Sequence, residues 1–456
     1  MSLMNSSSKA AISLLAAFFL TACAPKTDQP ETQLMEAPAK GSHEMSDLVW
    51  AVNVGGPAYQ GVDGTQYEAE SSVQGGAVRN LEKIKGSQDE ALYKTFRQGD
   101  IKVSRPIANG VYDVTFHFAE PEEIGGGERL FDTLAEGSVV IDDLDVMVSR
   151  DGKTKSALTV TAPNVEVTDG ELSIEFAASE GEPVLSALTV RSKQRPQPAW
   201  SLVWSDEFDY EGAPDPTKWT IDEWPARKVN DEDQAYTARP ENLRVSDGNL
   251  IIEALKEDYD GASYTSGRLH SQGKGDLLYG RVEVRALLPR GKGSWAAIWM
   301  LPSDPFRYAS NCEEGEDWQG SSTCDAWPNS GEIDILEHVG YQMGHVHGTV
   351  HSKAYYWVQW EQRKGRILLD DVDKAFHVYA LEWTPDKIDI FVDDSLYFTY
   401  INEGTGWEAW PFDHPFHVIL NIAVGGMWGR SGGGIDDSIF PQRMLVDYVR
   451  LYQAAE

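Results

Sequence analysis

Acidic and aliphatic residues alternate through Gly331-Glu332-Ile333-Asp334-Ile335-Leu336-Glu337-His338. On an extended strand this spacing puts Glu332 and Asp334 on one face and Ile333 and Ile335 on the other. Strict alternation would send Glu337 to the apolar face, where an unpaired carboxylate is costly. A one-residue bulge after Ile335 is therefore expected, returning Glu337 to the side of its acidic neighbours. Three acids on one face repel each other, which raises the pKa of at least one. One protonated carboxyl beside one ionised carboxylate is the pair that glycoside hydrolysis needs: an acid for the leaving oxygen and a carboxylate for the anomeric carbon. Retention of configuration puts the two about 5 to 5.5 Å apart, so the glutamates would lean together with Asp334 holding the nucleophile's geometry. Taken alone, the triplet has a second, less favoured reading as a solvated strand edge or a metal site.

Positioning such a face requires strands, and the chain is full of them. Gly110 to Phe118, Glu171 to Phe176, Arg281 to Leu288, Lys387 to Val392 and Val418 to Val424 carry period-2 alternation between Gly, Pro and Asp turns. No amphipathic helix of any length stands out, and there is no fixed-period repeat. The expectation is all-β: a catalytic β-jelly-roll sandwich preceded by a smaller β-sandwich. A chain of 456 residues with 41% hydrophobic content also exceeds what one core organises. Polar, Pro-rich sequence before residue 47 and the run Gln194-Arg195-Pro196-Gln197-Pro198 mark the breaks. The divisions are thus a signal at 1–22, a tether at 23–47, a first sandwich at 48–193, a linker at 194–199 and a second sandwich at 200–456.

The net charge of −33, from 39 basic and 72 acidic residues, argues against nucleic acid and suits a neutral or calcium-bound glycan, or simply a soluble surface for an extracellular setting. At the N-terminus, Lys9 precedes the apolar run Ala10 to Leu20, too short to span a bilayer but suited to a signal core. Leu20-Thr21-Ala22-Cys23 resembles the lipobox of bacterial lipoproteins. The resemblance implies a lipid on Cys23 and a membrane as partner, with Ala24 pointing to the outer membrane, facing the periplasm or the cell surface. In such an oxidising compartment Cys312 and Cys324 are expected to pair, stabilising their short loop by about 3 kcal/mol on the chain-entropy model; two free thiols are the alternative.

Gly-Glu-Ile-Asp-Ile-Leu-Glu resembles the signature of glycoside hydrolase family 16, and the resemblance runs over about residues 200 to 456. It includes Trp204-Ser205-Asp206-Glu207-Phe208, Arg239-Pro240-Glu241-Asn242, Tyr264-Thr265-Ser266-Gly267-Arg268, His347-Gly348-Thr349-Val350-His351, Gly425-Gly426-Met427-Trp428 and Asp447-Tyr448-Val449-Arg450. It implies Glu332 as nucleophile, Asp334 as helper and Glu337 as acid/base. The set looks like the laminarinases, which act on β-1,3-glucan. Trp295 and Trp299, four apart on a strand, share a face and offer a stacking platform, with core packing as the other reading. The family also implies sugar or acid contacts from Asn242, Arg268, His351 and Trp428. It needs no cofactor for chemistry but implies a structural calcium at Glu207, the Gly248 carbonyl and Asp447. A monomer is expected.

Residues 48 to 192 resemble malectin domains, β-sandwiches known for binding disaccharide units, through Val49-Trp50-Ala51-Val52-Asn53-Val54-Gly55-Gly56, Leu92-Tyr93-Lys94-Thr95, His117-Phe118-Ala119-Glu120 and Arg129-Leu130-Phe131-Asp132. Where sugar-stacking aromatics are expected, this chain has Pro121-Glu122-Glu123 and Gln98. A spacing or docking role is therefore as open as sugar binding, with Tyr67, Tyr93 and Phe96 either a different site or core. Other open readings are mixed-linkage glucan or a marine galactan as substrate, transglycosylation, and a glycan-capturing lipoprotein with little turnover. The loops 303–326 and 352–368, which would discriminate between substrates, carry no pattern that can be interpreted.

Overall fold

The computed structural model describes residues 47–193 and 198–455. The signal segment, Cys23 and nearly all of the tether lie outside the described residues, as does most of the linker. Among the described residues the architecture is all-β, and no helical segment exceeds four residues.

Two sheets form the larger sandwich. One runs in the order Thr220–Ile221, Arg268–His270, Phe416–Val424, Ser294–Pro302, Glu332–Val339, His345–His351, Arg363–Leu368. The other contains Ala262–Ser266, Asn249–Tyr259, Gln442–Ala454, Gly280–Leu287, His377–Trp383, Lys387–Val392 and Ser395–Ile401. Alternation makes the core: Ile298, Met300, Ile333, Ile335 and Leu336 from the first sheet meet Val282, Val284, Leu381, Ile390 and Val449 from the second. Face-to-face packing of this kind leaves the outward side chains of the first sheet free to form a site.

The central irregularity falls where the acids require it. Trp299 pairs with Asp334, whereas Ile298 pairs with Leu336, so Ile335 is the extra residue. On the other side the register likewise shifts between Asp334 and Glu337. Ile335 and Leu336 are both fully buried, and Glu337 emerges on the face of Glu332 and Asp334. The bulge strands a carbonyl that no neighbouring strand can use. Buried Tyr397, from the opposite sheet, donates to the Ile335 oxygen at 2.8 Å.

The smaller sandwich packs Val52, Val114, Phe116, Phe118, Phe131, Ile174 and Val190 between its sheets. Phe96 belongs to this core, while Tyr67 and Tyr93 lie on the far side of one sheet against His117, with Tyr93 Oη 2.9 Å from His117 Nδ1. Gln98 donates to Glu122 at 3.0 Å and Glu182 at 3.1 Å, so a polar knot stands where stacking aromatics would be needed. The two sandwiches share one continuous sheet: Ala157–Val167 runs parallel to Arg363–Leu368, with Arg366 opposite Val160 and Ile367 opposite Thr161.

Cys312 and Cys324 are bonded, their Cα atoms 5.1 Å apart. The calcium set does not fit as its residues stand. Glu207 takes a two-pronged hydrogen bond from Arg450, at 3.0 and 2.7 Å, and Asp447 is paired with Arg285 at 2.6 Å. Arginines thus take both carboxylate oxygens of Glu207 and one of Asp447, in competition with an ion there.

Replacing Tyr397 by Phe leaves the bulge carbonyl buried and unpaired, so it should cost about 1–3 kcal/mol in urea unfolding. Wild-type stability in that variant would show that the bulge does not depend on this bond.

Candidate active site

Cross-strand register assembles the site. Glu332 lies opposite His351, Asp334 opposite Trp299 on one side and Thr349 on the other, and Thr349 opposite Lys364. One residue row beyond the bulge, Ala297 and His347 flank Glu337. These residues share the outer face of the sheet, and that face floors a cleft of about 540 Å³. Seven of the fifteen tryptophans line it: Trp295, Trp299, Trp318, Trp327, Trp357, Trp360 and Trp428.

Each glutamate accepts an indole N–H. Trp327 Nε1 donates to Glu332 Oε2 at 2.8 Å, and Trp295 Nε1 donates to Glu337 Oε1 at 3.1 Å. Trp299 instead donates to Asn421 Oδ1 at 2.8 Å, and Asn421 is braced by Tyr236, which donates to buried Glu232 at 3.0 Å. Rings held by their nitrogens keep their faces fixed for apolar sugar C–H surfaces. Trp428 meets Trp295 edge-on at 5.7 Å and His347 at 5.1 Å.

Burial is the first cause of the acids' electrostatics, and it raises all three. Glu332 is pushed up to about 8 by desolvation and then by the charge of Glu337, against the pull of Trp327, Asp334 and Arg268. Glu337 rises to about 7 by desolvation, opposed by Trp295 and by the Lys364 ammonium. Asp334 is driven well up by burial and by both glutamates. At neutral pH the trio therefore holds protons as well as charge, the mixed state that acid and nucleophile roles need. His351 sits 3.5 Å from Asp334 and 3.7 Å from Glu332, but desolvation lowers it to about 3, so it faces them as a neutral ring. Glu332, Asp334 and His351 bring ligand atoms within 4.8 Å of one another, the metal alternative for this triplet. The tryptophan walls and the indole donors suit a sugar better than a cation.

Arg268 is buried, with Nε on Asp222 at 2.7 Å, Nη2 on Gln319 at 3.0 Å, and its guanidinium 4.8 Å from the Trp299 ring centre. Arg268, Trp295, Trp299, His351 and Trp428 thus stand in the cleft with the three acids. Asn242 does not. It is wholly buried, accepting from Thr237 at 2.6 Å and Arg239 at 3.0 Å while donating to the Glu253 carbonyl and Thr265. Its amide has nothing left to offer a ligand, so its role is to fix the turn before Leu243–Ser246. Sequence reasoning missed Trp318, Gln319, Trp327, Trp357, Trp360, Lys364 and Asn421. Trp318 and Gln319 sit inside the disulfide-closed loop, where tryptophan in an otherwise Gly/Ser/acid stretch was the available signal.

Residues 230–450 match the family profile described as Glycosyl hydrolases family 16, and residues 48–192 match that of the Malectin domain. A beta-glucanase of Rhodothermus marinus is 51% identical over 57% of this chain and 87% of its own length. A glucan endo-1,3-beta-glucosidase of Cryptopygus antarcticus is 35% identical over 50% of this chain and 82% of its own. The solved laminarinase structure from Rhodothermus marinus superposes with a TM-score of 0.51 at 50% identity, covering 57% of this chain and all of that one.

Because Glu332 titrates higher folded than unfolded, its contribution to stability is present below the unfolded value of 4.5 and is lost as pH rises through about 8. Glu332→Gln removes that penalty. The variant should therefore melt above wild type at pH 8 and close to it at pH 4; equal melting at both would show that Glu332 is not strained by burial.

Proposed function

The chain belongs to glycosyl hydrolases family 16, and from that premise we propose that it is an endo-β-1,3-glucanase cleaving laminarin-type glucan with retention. The carrying observation is the bulged strand that sets Glu332 and Glu337 on one face of a tryptophan-walled cleft, each accepting an indole N–H. Relatives named beta-glucanase and laminarinase support the substrate class, and a strongly acidic protein suits a neutral polymer.

In the first half-reaction Glu332 attacks the anomeric carbon while Glu337 gives its proton to the departing glycosidic oxygen. The bond from that carbon to the leaving sugar breaks as an ester bond to Glu332 forms. In the second, Glu337 is a carboxylate and takes a proton from water, which attacks the same carbon and frees Glu332. Asp334, beside Glu332 on the same strand face, restrains the nucleophile and shares its proton inventory. Lys364 stabilises the charge that Glu337 acquires between the two halves. Both glutamates are present and share one face of the cleft, which supports turnover over simple glycan capture.

We also propose that Cys23 carries a lipid that tethers the enzyme, as a monomer, to the bacterial outer membrane. No helix among the described residues is long and apolar enough to cross a membrane.

Reducing-sugar release from laminarin should exceed that from barley mixed-linkage glucan and from agarose, and Glu332→Gln should abolish it while leaving glucan binding. Proton NMR of the laminarin reaction should show the β-anomer first. Preference for another polymer would overturn the substrate, and α-anomer first would overturn the double displacement. For the anchor, Cys23→Ala should lose radiolabelled palmitate and move to the soluble fraction; unchanged labelling would remove the lipid from Cys23.

A further inference from the structure

The front sandwich reaches the chemistry. A tight turn at residues 151–156 joins its short helix Val146–Ser149 to the strand Ala157–Val167, the strand that pairs with Arg363–Leu368 of the catalytic sheet. Asp151 and Gly152 both adopt left-handed backbone, at φ 55° and 75°, and Gly152 N donates to the Met147 carbonyl at 2.8 Å. This turn projects to the cleft wall, where Asp151 lines the same cavity as Glu337, Trp360, Lys364 and Trp428.

The turn is fastened to the catalytic domain from three directions. Buried Arg366 donates to Ser149 Oγ at 3.1 Å and to the Ser149 carbonyl at 3.4 Å. Lys153 Nζ stands 4.1 Å from the centre of the Trp360 ring, a cation–π contact on a tryptophan of the cleft. Asp151 Oδ2 lies 3.8 Å from Lys364 Nζ, the cation that acts on Glu337. Among the described residues no hydrogen bond ends on this carboxylate, and more than a third of its side-chain surface remains exposed, so its oxygens are open to a ligand.

We propose that Asp151 is a substrate-binding residue of the catalytic cleft, supplied by the front sandwich, that accepts hydrogen bonds from the hydroxyls of a neutral hexose on the acid/base side of the scissile bond. The inference rests on the family 16 reading of Glu332 and Glu337. Glu337 protonates the leaving oxygen, so the sugar on its side is the departing one. Arg366, which holds Ser149 beside the turn, stands in the cross-strand row of Glu337 and His347 rather than that of Glu332 and His351, which puts Asp151 on that departing side. A carboxylate accepts from two hydroxyls at once and repels sulfated or carboxylated sugars, so the same residue discriminates for neutral glucan. The front domain, whose own stacking positions are Gln98 and Glu122, contributes to sugar binding through this turn instead.

The test uses the full chain with two substrates. Laminarin places a sugar on the leaving side, whereas p-nitrophenyl β-laminaribioside places a nitrophenyl ring there. Charge-assisted hydrogen bonds of this kind correspond to about tenfold or more in kcat/KM. Asp151→Ala should lower the laminarin-to-aryl-glycoside ratio of kcat/KM by about tenfold, chiefly through KM. Asp151→Asn tolerates the left-handed turn and keeps one acceptor oxygen, so it should recover part of the loss. An unchanged ratio, whether both activities persist or both fall together, would overturn the proposal. Wild type is assayed alongside, so failure of the family reading shows as no turnover by either protein, and failure of this inference as equal behaviour of both.

Discussion

Three carboxyls crowded onto one buried strand face are the constraint around which the molecule is arranged. Two unit charges about 4 Å apart repel by about 4 kcal/mol even at an effective dielectric of ~20, and desolvation adds to that cost. The fold does not neutralise the trio with close cations. It gives Glu332 and Glu337 one indole donor each, places Arg268 and Lys364 at longer range, and lets protons supply the remaining compensation. Full salt bridges would lock the carboxyls ionised and leave no acid for the leaving group. The bulge at Ile335 serves the same end, because it puts two apolar residues in succession into the core while returning Glu337 to the cleft. Its cost, an unpaired carbonyl, is met from the opposite sheet by Tyr397.

Sheet continuity carries that arrangement outward. The row Arg268, Asn421, Ala297, Glu337, His347, Arg366 follows hydrogen-bonded register across the catalytic sheet and ends opposite Val160 of the front sandwich. Backbone pairing fixes strand separation at about 4.8 Å, so a displacement of the front strand is transmitted to the floor of the cleft rather than absorbed by a linker. Arg366 reinforces the seam, since a buried guanidinium with Ser149 as partner cannot leave without exposing an unsatisfied charge.

What the sequence disclosed follows from how local the physics is. Alternation reported the strands and the acidic face, and the cost of burying Glu337 reported the bulge, because each depends on a handful of adjacent residues. Trp295 and Trp299 were legible for the same reason. Its family motif points Asn242 at the cleft, whereas the structure spends all its hydrogen bonds on Thr237, Arg239, Glu253 and Thr265. Trp318, Trp327, Trp357 and Trp360 come from loops, where no periodicity tells a side chain which way to face. Asp151 was invisible because its surroundings are made by residues more than two hundred positions away.

Lys364 ties these threads together. Burial pulls its ammonium down to about 7, with Arg150 and Arg366 pushing the same way and Asp151 and Glu337 opposing. Glu337 is itself raised to about 7, and Lys364 is the charge that restrains it. The two titrations are therefore linked with opposite effect. A charged Lys364 favours loss of the Glu337 proton, and an ionised Glu337 in turn holds the proton on Lys364. The charge left on Glu337 once it has protonated the leaving group is thus offset by a neighbouring cation. That neighbour is desolvated at the seam with the front sandwich, so the front domain helps set the proton balance of the catalytic one.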